Sequence, residues 1–326
     1  MWRRHAGLMA GPKNALVTDD AAPVGEAAAG RAVRRRRGRR VPAPALVLGS
    51  VCSVQVGQAL GKGLFGTVGG PWGAVALRLG LAAVLLLAVW RPRLPERRGD
   101  LLAVLALGTA IAGMNLVYPA LRHLPLGAAV TIQLTGPLVV SLLAVRRRRD
   151  AAWGLLAVVG LFLFTDPGSA RSLPLIGVAF AVASAVAMGT YLLLSRRVGA
   201  RMTGGGPLAL AVAWAALLSL PAGVADSGTR LLAPAALALG LLVAVLSAAV
   251  PYSLELTALR RLPARTVGVL QSLEPVVAGL AGTVLLDETL SAAQWAATGC
   301  IALASAGAVS STARRPDGSE QIGAYR

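Results

Sequence analysis

From about residue 44 to residue 312 the chain alternates long apolar runs with short breaks that are basic or rich in Gly and Pro. Runs of roughly 18 or more apolar residues with few charges are long enough to cross a bilayer as helices. The pattern predicts ten such helices, at 44–64, 71–90, 101–119, 126–145, 151–165, 174–195, 207–225, 235–257, 266–286 and 292–312. Several fall short of twenty residues, within the range of a tilted or packed helix. Asp150 and Ser291 stand where the N-caps of the fifth and tenth helices should be, and Ser291 with Gln294 has capping-box spacing.

One apolar run is unusual. Ala258–Leu290 carries an acid, Glu274, with Gln271 one turn before it and Pro275 directly after. The same design occurs at Ala120–Ala144. A shift of 138 residues superimposes Ala-Leu-Arg-x-Leu-Pro in both runs, then Gln133 on Gln271 and Pro137 on Pro275, while Glu274 falls on Gly136. A repeated membrane segment implies two copies of one unit. The copies are 44–165 and 174–312, flanked by a basic tail at 1–43, read as disordered, and a short tail at 313–326.

Charge orients these copies. With the N-terminus inside, the inner loops and both tails hold 27 Lys and Arg, against three in the outer loops: Arg122, Arg171 and Arg230. That split is the positive-inside signature and puts both termini in the cytoplasm of a cell-membrane protein. Five helices per copy is an odd number, so the second copy must enter the bilayer upside down. The expected fold is therefore an all-α integral membrane bundle, ten transmembrane helices as two inverted five-helix repeats. Inverted repeats are an architecture of alternating-access transport.

Composition narrows the function. The chain is 56% apolar and 14% charged, with mean hydropathy +0.67, which excludes a soluble globular domain. A net charge of +18 would suggest nucleic acid in a soluble protein. Here the arginines lie between spans, so no nucleic-acid partner is expected. Arg34–Arg37 with Arg39 and Arg40 either rest on anionic lipid or only fix orientation. Cys52 and Cys300 lie in apolar spans and read as packing residues; with His5 and His123 they build no metal site, and no cofactor is expected. The absence of HExxH, GxSxG or Cys/His metal spacing argues against an enzyme.

Four charges fall inside predicted spans: Lys62 and Arg78 in the first copy, Glu255 and Glu274 in the second. A charge facing lipid at the bilayer centre costs about 2.5–3.5 kcal/mol on insertion scales, so such residues face a cavity or each other. Glu274 and Arg78 sit near the midplane. Lys62 and Glu255 lie nearer helix ends, where snorkelling is an alternative. A carboxylate shielded from bulk water is the group that can trade a proton during transport, which makes Glu274 the candidate for coupling. A cationic half and an anionic half would together hold a zwitterion; the alternative is that Arg78 and a Glu form a structural ion pair. Gln55, Asn115, Gln133, Gln271 and Tyr252 complete the candidate site, with interhelical hydrogen bonding as the competing role. The implied partners are a small-molecule substrate, protons and the lipid bilayer.

These segments resemble the EamA-type repeats of the drug/metabolite transporter superfamily, and within it the inner-membrane threonine/homoserine exporters. The resemblance is carried by Ser53-Val54-Gln55, Leu60-Gly61-Lys62, Ala76-Leu77-Arg78-Leu79, Leu134-Thr135-Gly136-Pro137-Leu138, Pro251-Tyr252-Ser253-Leu254-Glu255, Leu273-Glu274-Pro275 and Glu288-Thr289-Leu290 with Gln294-Trp295. It implies proton-driven export of amino acids or related metabolites, with a broader metabolite or drug exporter as the alternative. Two departures stand out. Gln133 replaces an acidic residue of the exporter pattern, and Asp287-Glu288 replaces a Gly-Glu pair. Glu288, at a helix end, has two readings: capping and transport.

Overall fold

The computed structural model describes residues 42–143, 151–164, 173–202, 204–259, 261–262 and 264–312. The basic N-terminal tail, the C-terminal tail, the loop at 146–149, Asp150, Arg171 and the side chains of Tyr252 and Glu255 lie outside the described residues.

Among the described residues the fold is all-helical. In order, the helices are α1 (Ala43–Gly63), α2 (Phe65–Val68), α3 (Pro71–Trp90), α4 (Arg98–Met114), α5 (Val117–Leu121), α6 (Leu126–Gln133), α7 (Thr135–Leu143), α8 (Ala151–Phe164), α9 (Leu175–Arg201), α10 (Gly206–Ser227), α11 (Pro234–Ala244), α12 (Val250–Leu259), α13 (Ala264–Gln271), α14 (Glu274–Leu286) and α15 (Ala292–Thr312). A 3-10 turn at Gly228–Leu232 follows α10, and a π segment at Val245–Ala249 joins α11 to α12. Prolines sit in the first turns of α1, α3, α10, α11 and α14, where the missing N–H forfeits no helical bond.

Seven helical stretches are long and apolar enough to cross a membrane: Ala43–Val68, Pro71–Trp90, Arg98–Leu121, Leu175–Arg201, Gly206–Leu232, Thr266–Leu286 and Ala292–Ser310. The expected fourth and eighth spans contain the shorter apolar helices Leu126–Val140 and Pro234–Ser247, and the expected fifth is the 14-residue α8. Large apolar side chains point away from the bundle, Leu143 at 81% exposed and Leu175 at 83% among them. In water such a surface would drive aggregation; against acyl chains it is already solvated. The capping box at Ser291 forms as expected: the Ser291 N–H donates to Gln294 Oε1 at 2.9 Å, and the Gln294 N–H donates to Ser291 Oγ at 3.2 Å.

Several helices are discontinuous. α4 gives way to α5 at Asn115–Leu116, α6 to α7 at Leu134, and α13 to α14 at Ser272–Leu273. Pro137 and Pro275 lie in the first turn of the piece that follows each of the last two breaks. Proline gives no N–H to the ladder and its ring crowds the carbonyl four residues back, so each break falls just upstream. The break that the sequence pattern repeats is thus present at both positions.

Glycine sets how closely the two halves of the chain approach. A Cβ on Gly127 of α6 would lie 2.7 Å from the Gly279 Cα of α14. Gly127→Leu therefore has to part the two helices, and overpacking of this kind costs about 1–3 kcal/mol or more. We expect a clear drop in the thermal midpoint of the detergent-solubilised protein, measured by tryptophan fluorescence, while Gly80→Leu, at a position open to space, leaves it nearly unchanged.

Candidate functional site

The site is built around Arg78, halfway along α3. Its Nε donates to Ser247 Oγ at 2.8 Å, its Nη1 donates to Asn115 Oδ1, and its guanidinium carbon lies 5.6 Å from the centre of the Tyr118 ring. Each partner comes from an irregular piece of backbone. Ser247 lies on the π segment and donates its own proton to the Val243 carbonyl at 2.6 Å. Asn115 lies at the α4–α5 break, where its Nδ2 donates to the Ile111 carbonyl at 2.7 Å. Short polar side chains that bond the backbone four residues back compete with the helix ladder, which fits their place at these irregularities.

The guanidinium offers five N–H donors, and hydrogen bonds to described residues occupy two. Tyr118 supports it from one face by a cation–π contact. Among the described residues its partners are a hydroxyl, an amide and a ring, not a carboxylate.

Helix α1, whose Gly57 and Gly61 pack against the Arg78 partners Ser247 and Tyr118, carries further buried polar groups. Gln55 is 0% exposed, and neither atom of its amide has a hydrogen-bond partner. Gln58 Oε1 and the Tyr118 hydroxyl are likewise buried without partners. Buried polar atoms in native proteins are nearly always satisfied, and leaving one unmet costs about 1–3 kcal/mol. A group of such atoms next to a half-satisfied guanidinium has the character of a ligand site. Gly57 and Gly61 make room for it. A Cβ on Gly57 would come within 3.1 Å of Ser247, and one on Gly61 within 2.7 Å of the Tyr118 ring.

The two repeated glutamines part company. Gln133, the last residue of α6, is buried and uses both amide hydrogens, donating to the Met114 carbonyl at 2.9 Å and Ser184 Oγ at 2.7 Å. It ties the α4–α5 break to α9. Gln271 ends α13 and is half-buried; Glu274, also half-buried, is the first residue of α14. Gly136, in the matching place of the first copy, has the Ala185 backbone of α9 pressed against it, and any Cβ there would strike the Ala185 carbonyl. Contact with α9 thus explains why that position carries no acid.

Lys62 is paired. Its ammonium lies 2.5 Å from Glu288 Oε1 and donates to the Leu124 carbonyl at 2.9 Å. The other Glu288 oxygen accepts the Leu126 N–H at 2.7 Å, so Glu288 caps α6 rather than a helix of its own neighbourhood. Ser247 is the site residue that sequence reasoning missed; Tyr118 reads there only as an intramembrane polar residue, and Glu288 only as a helix-end acid with capping and transport as its readings. Glu288 sits in the Glu-Thr-Leu motif, and that motif was the available signal.

Comparison with known proteins agrees with this architecture. Residues 175–310 match the EamA-like transporter family. Over 286 residues the chain is 41% identical to the threonine/homoserine exporter RhtA of Salmonella typhimurium (strain LT2), covering 85% of this chain and 96% of that protein. Over 267 residues it is 41% identical to the threonine/homoserine exporter RhtA of Escherichia coli (strain K12), covering 80% of this chain and 89% of that protein. One solved crystal structure superposes with a TM-score of 0.56 at 19% identity, over 83% of this chain and 98% of the other, a likeness of fold alone. The helical membrane architecture and these matches lead to one conclusion: the chain belongs to the EamA-like transporter family.

Proposed function

We propose that this protein is a secondary active transporter that exports small polar amino acids, threonine and homoserine foremost, by proton-coupled alternating access. The observation that carries the reading is Arg78. It is a guanidinium inside the spanning part of the bundle, held in place by a hydroxyl, an amide and an aromatic face, and hydrogen bonds to described residues take up two of its five donors. A carboxylate is the natural partner of such a fork. The unpartnered Gln55 amide and Tyr118 hydroxyl supply the polar contacts that a side-chain hydroxyl needs.

The cycle rests on two inverted copies, ten spans and cytoplasmic termini. Helix breaks at Leu134 and at Ser272–Leu273, 138 residues apart, support that reading. So does the distribution of arginines. Broken helices near the bilayer centre are where transporters of this architecture hold their ligands. Glu274, at the start of α14 just past the second break, is the group we assign to proton coupling; Glu255 and Gln271 are the secondary candidates on the same half. Gln133, with its amide hydrogens engaged, acts by positioning.

The reading is tested in proteoliposomes loaded with labelled amino acids under an imposed proton gradient. Threonine and homoserine are expected to leave several-fold faster than from protein-free vesicles, and dissipating the gradient should abolish accumulation against a concentration difference. Movement of hydrophobic cations or other drugs with no response to any amino acid would favour a broader metabolite or drug exporter.

A further inference from the structure

We infer that the Lys62–Glu288 pair is the outer gate of the transport path, a contact that has to part on each cycle. The inference rests on the alternating-access reading above, and it concerns residues to which that reading gives no role. Three separate parts of the chain meet here. Lys62 comes from the last turn of α1, Glu288 from the turn between α14 and α15, and both bind the strand of backbone that leads into α6.

The geometry is that of a clasp rather than a surface pair. The Lys62 ammonium bridges Glu288 Oε1 and the Leu124 carbonyl, and the second Glu288 oxygen receives the Leu126 N–H. The side chains are 23% and 12% exposed, so the pair is largely shielded from water and salt. Glu288 reaches this place through a specific backbone device. Asp287 adopts a left-handed conformation at φ 52, and the Glu288 N–H returns to the Gly282 carbonyl at 3.1 Å. Gly282 leaves the room: any side chain there would collide with the Glu288 carboxylate.

What lies along α1 from the clasp gives it meaning. Gln58 is one turn before Lys62 and Gln55 about two turns before it, at spacings that put all three on one helix face. Gln58 Oε1, the Gln55 amide and the Tyr118 hydroxyl make up all but one of the buried polar atoms without partners among the described residues, the other being Ser227 Oγ at the end of α10, and Arg78 stands against Tyr118. A row of unsatisfied polar groups on one face of α1 ends at an ion pair that joins the two halves of the chain. A static strut would have no need of such a row. A path that opens to water when Lys62 and Glu288 separate would satisfy every one of those atoms in the open state. Glu288→Gln is the informative variant, because the amide keeps an oxygen for the Leu126 N–H and removes only the charge.

The test is site-directed labelling of the full chain in membrane vesicles of both orientations. Cys52 and Cys300 are replaced by Ala, and Gln58→Cys serves as reporter for a membrane-impermeant maleimide. Glu288→Gln and Lys62→Met are each expected to raise the labelling rate about tenfold from one side of the membrane only, as the population shifts toward the open form. Glu288→Asp should stay near the parent rate. Equal rates in parent and both variants would overturn the inference. So would loss of the monodisperse folded protein in Glu288→Gln, because a contact that parts on every cycle cannot be required for folding. Labelling needs no transported substrate. A rise in labelling without any amino-acid efflux from the wild-type protein would leave the gate standing and remove the substrate reading instead.

Discussion

Replacing Arg78 with Met is expected to lower threonine efflux at subsaturating substrate by at least about 100-fold while leaving folded yield intact. Truncating one partner of a desolvated charge pair typically costs about 2–5 kcal/mol, and each ~1.4 kcal/mol is a factor of ten. Folding should survive because only one acceptor, Asn115 Oδ1, loses its donor, a cost of about 1–3 kcal/mol. Ser247 still donates to the Val243 carbonyl, and Asn115 Nδ2 still donates to the Ile111 carbonyl. Methionine fills much of the vacated volume and can stack on Tyr118. Arg78→Lys should fall between, since an ammonium keeps the charge but cannot hold Ser247 and Asn115 while presenting a planar fork to a carboxylate. Efflux from right-side-out vesicles at several substrate concentrations distinguishes a loss of binding from a loss of turnover. Wild-type rates in Arg78→Met would remove the residue from the site.

Glu274→Gln should convert the protein from a concentrative exporter to an exchanger. The substitution keeps size and polarity and removes only the ability to take up a proton. A transporter that couples through this carboxyl can then no longer draw on the proton gradient, yet can still carry labelled threonine in exchange for unlabelled threonine. We expect accumulation driven by a proton gradient to drop at least about tenfold while counterflow stays within about threefold of wild type, since ligand contacts such as those of Arg78 are unaltered. Unchanged gradient-driven transport would move the coupling role elsewhere, with Glu255 the next to test. Loss of both activities would instead mark Glu274 as a ligand contact.

The hydrophobic pattern showed most of what fixes the architecture and only part of what fixes the site. The starts of α3, α10 and α11 at or next to Pro71, Pro207 and Pro234 were legible to within a residue from where the apolar runs begin, and proline is favoured in a helix's first turn. The breaks at Leu134 and Ser272–Leu273 were legible as repeated polar-proline pairs, a local signal. Arg78 and Glu274 stood out because a charge in an apolar run is expensive. The pairing of Lys62 with Glu288 was not legible, because 226 residues separate them and each alone looks like a helix-end charge. Ser247 was invisible for another reason. A serine in an apolar run carries no signal, and the π segment that turns it toward Arg78 depends on packing against α1, where Ser53 Oγ donates to the Leu246 carbonyl at 2.7 Å. Gln133 shows the reverse: a residue singled out by repetition whose amide is spent on the α4–α5 break and α9.

The most direct test is the affinity of purified protein in nanodiscs for threonine and for threonine amide, with wild type and Arg78→Met compared by calorimetry. The amide keeps the ammonium and hydroxyl and removes only the anionic charge. If the guanidinium of Arg78 holds the substrate carboxylate, wild type should prefer threonine by about 100-fold, and that preference should collapse to within about threefold in Arg78→Met, the signature of a coupled pair. The same strong preference persisting in Arg78→Met would contradict it.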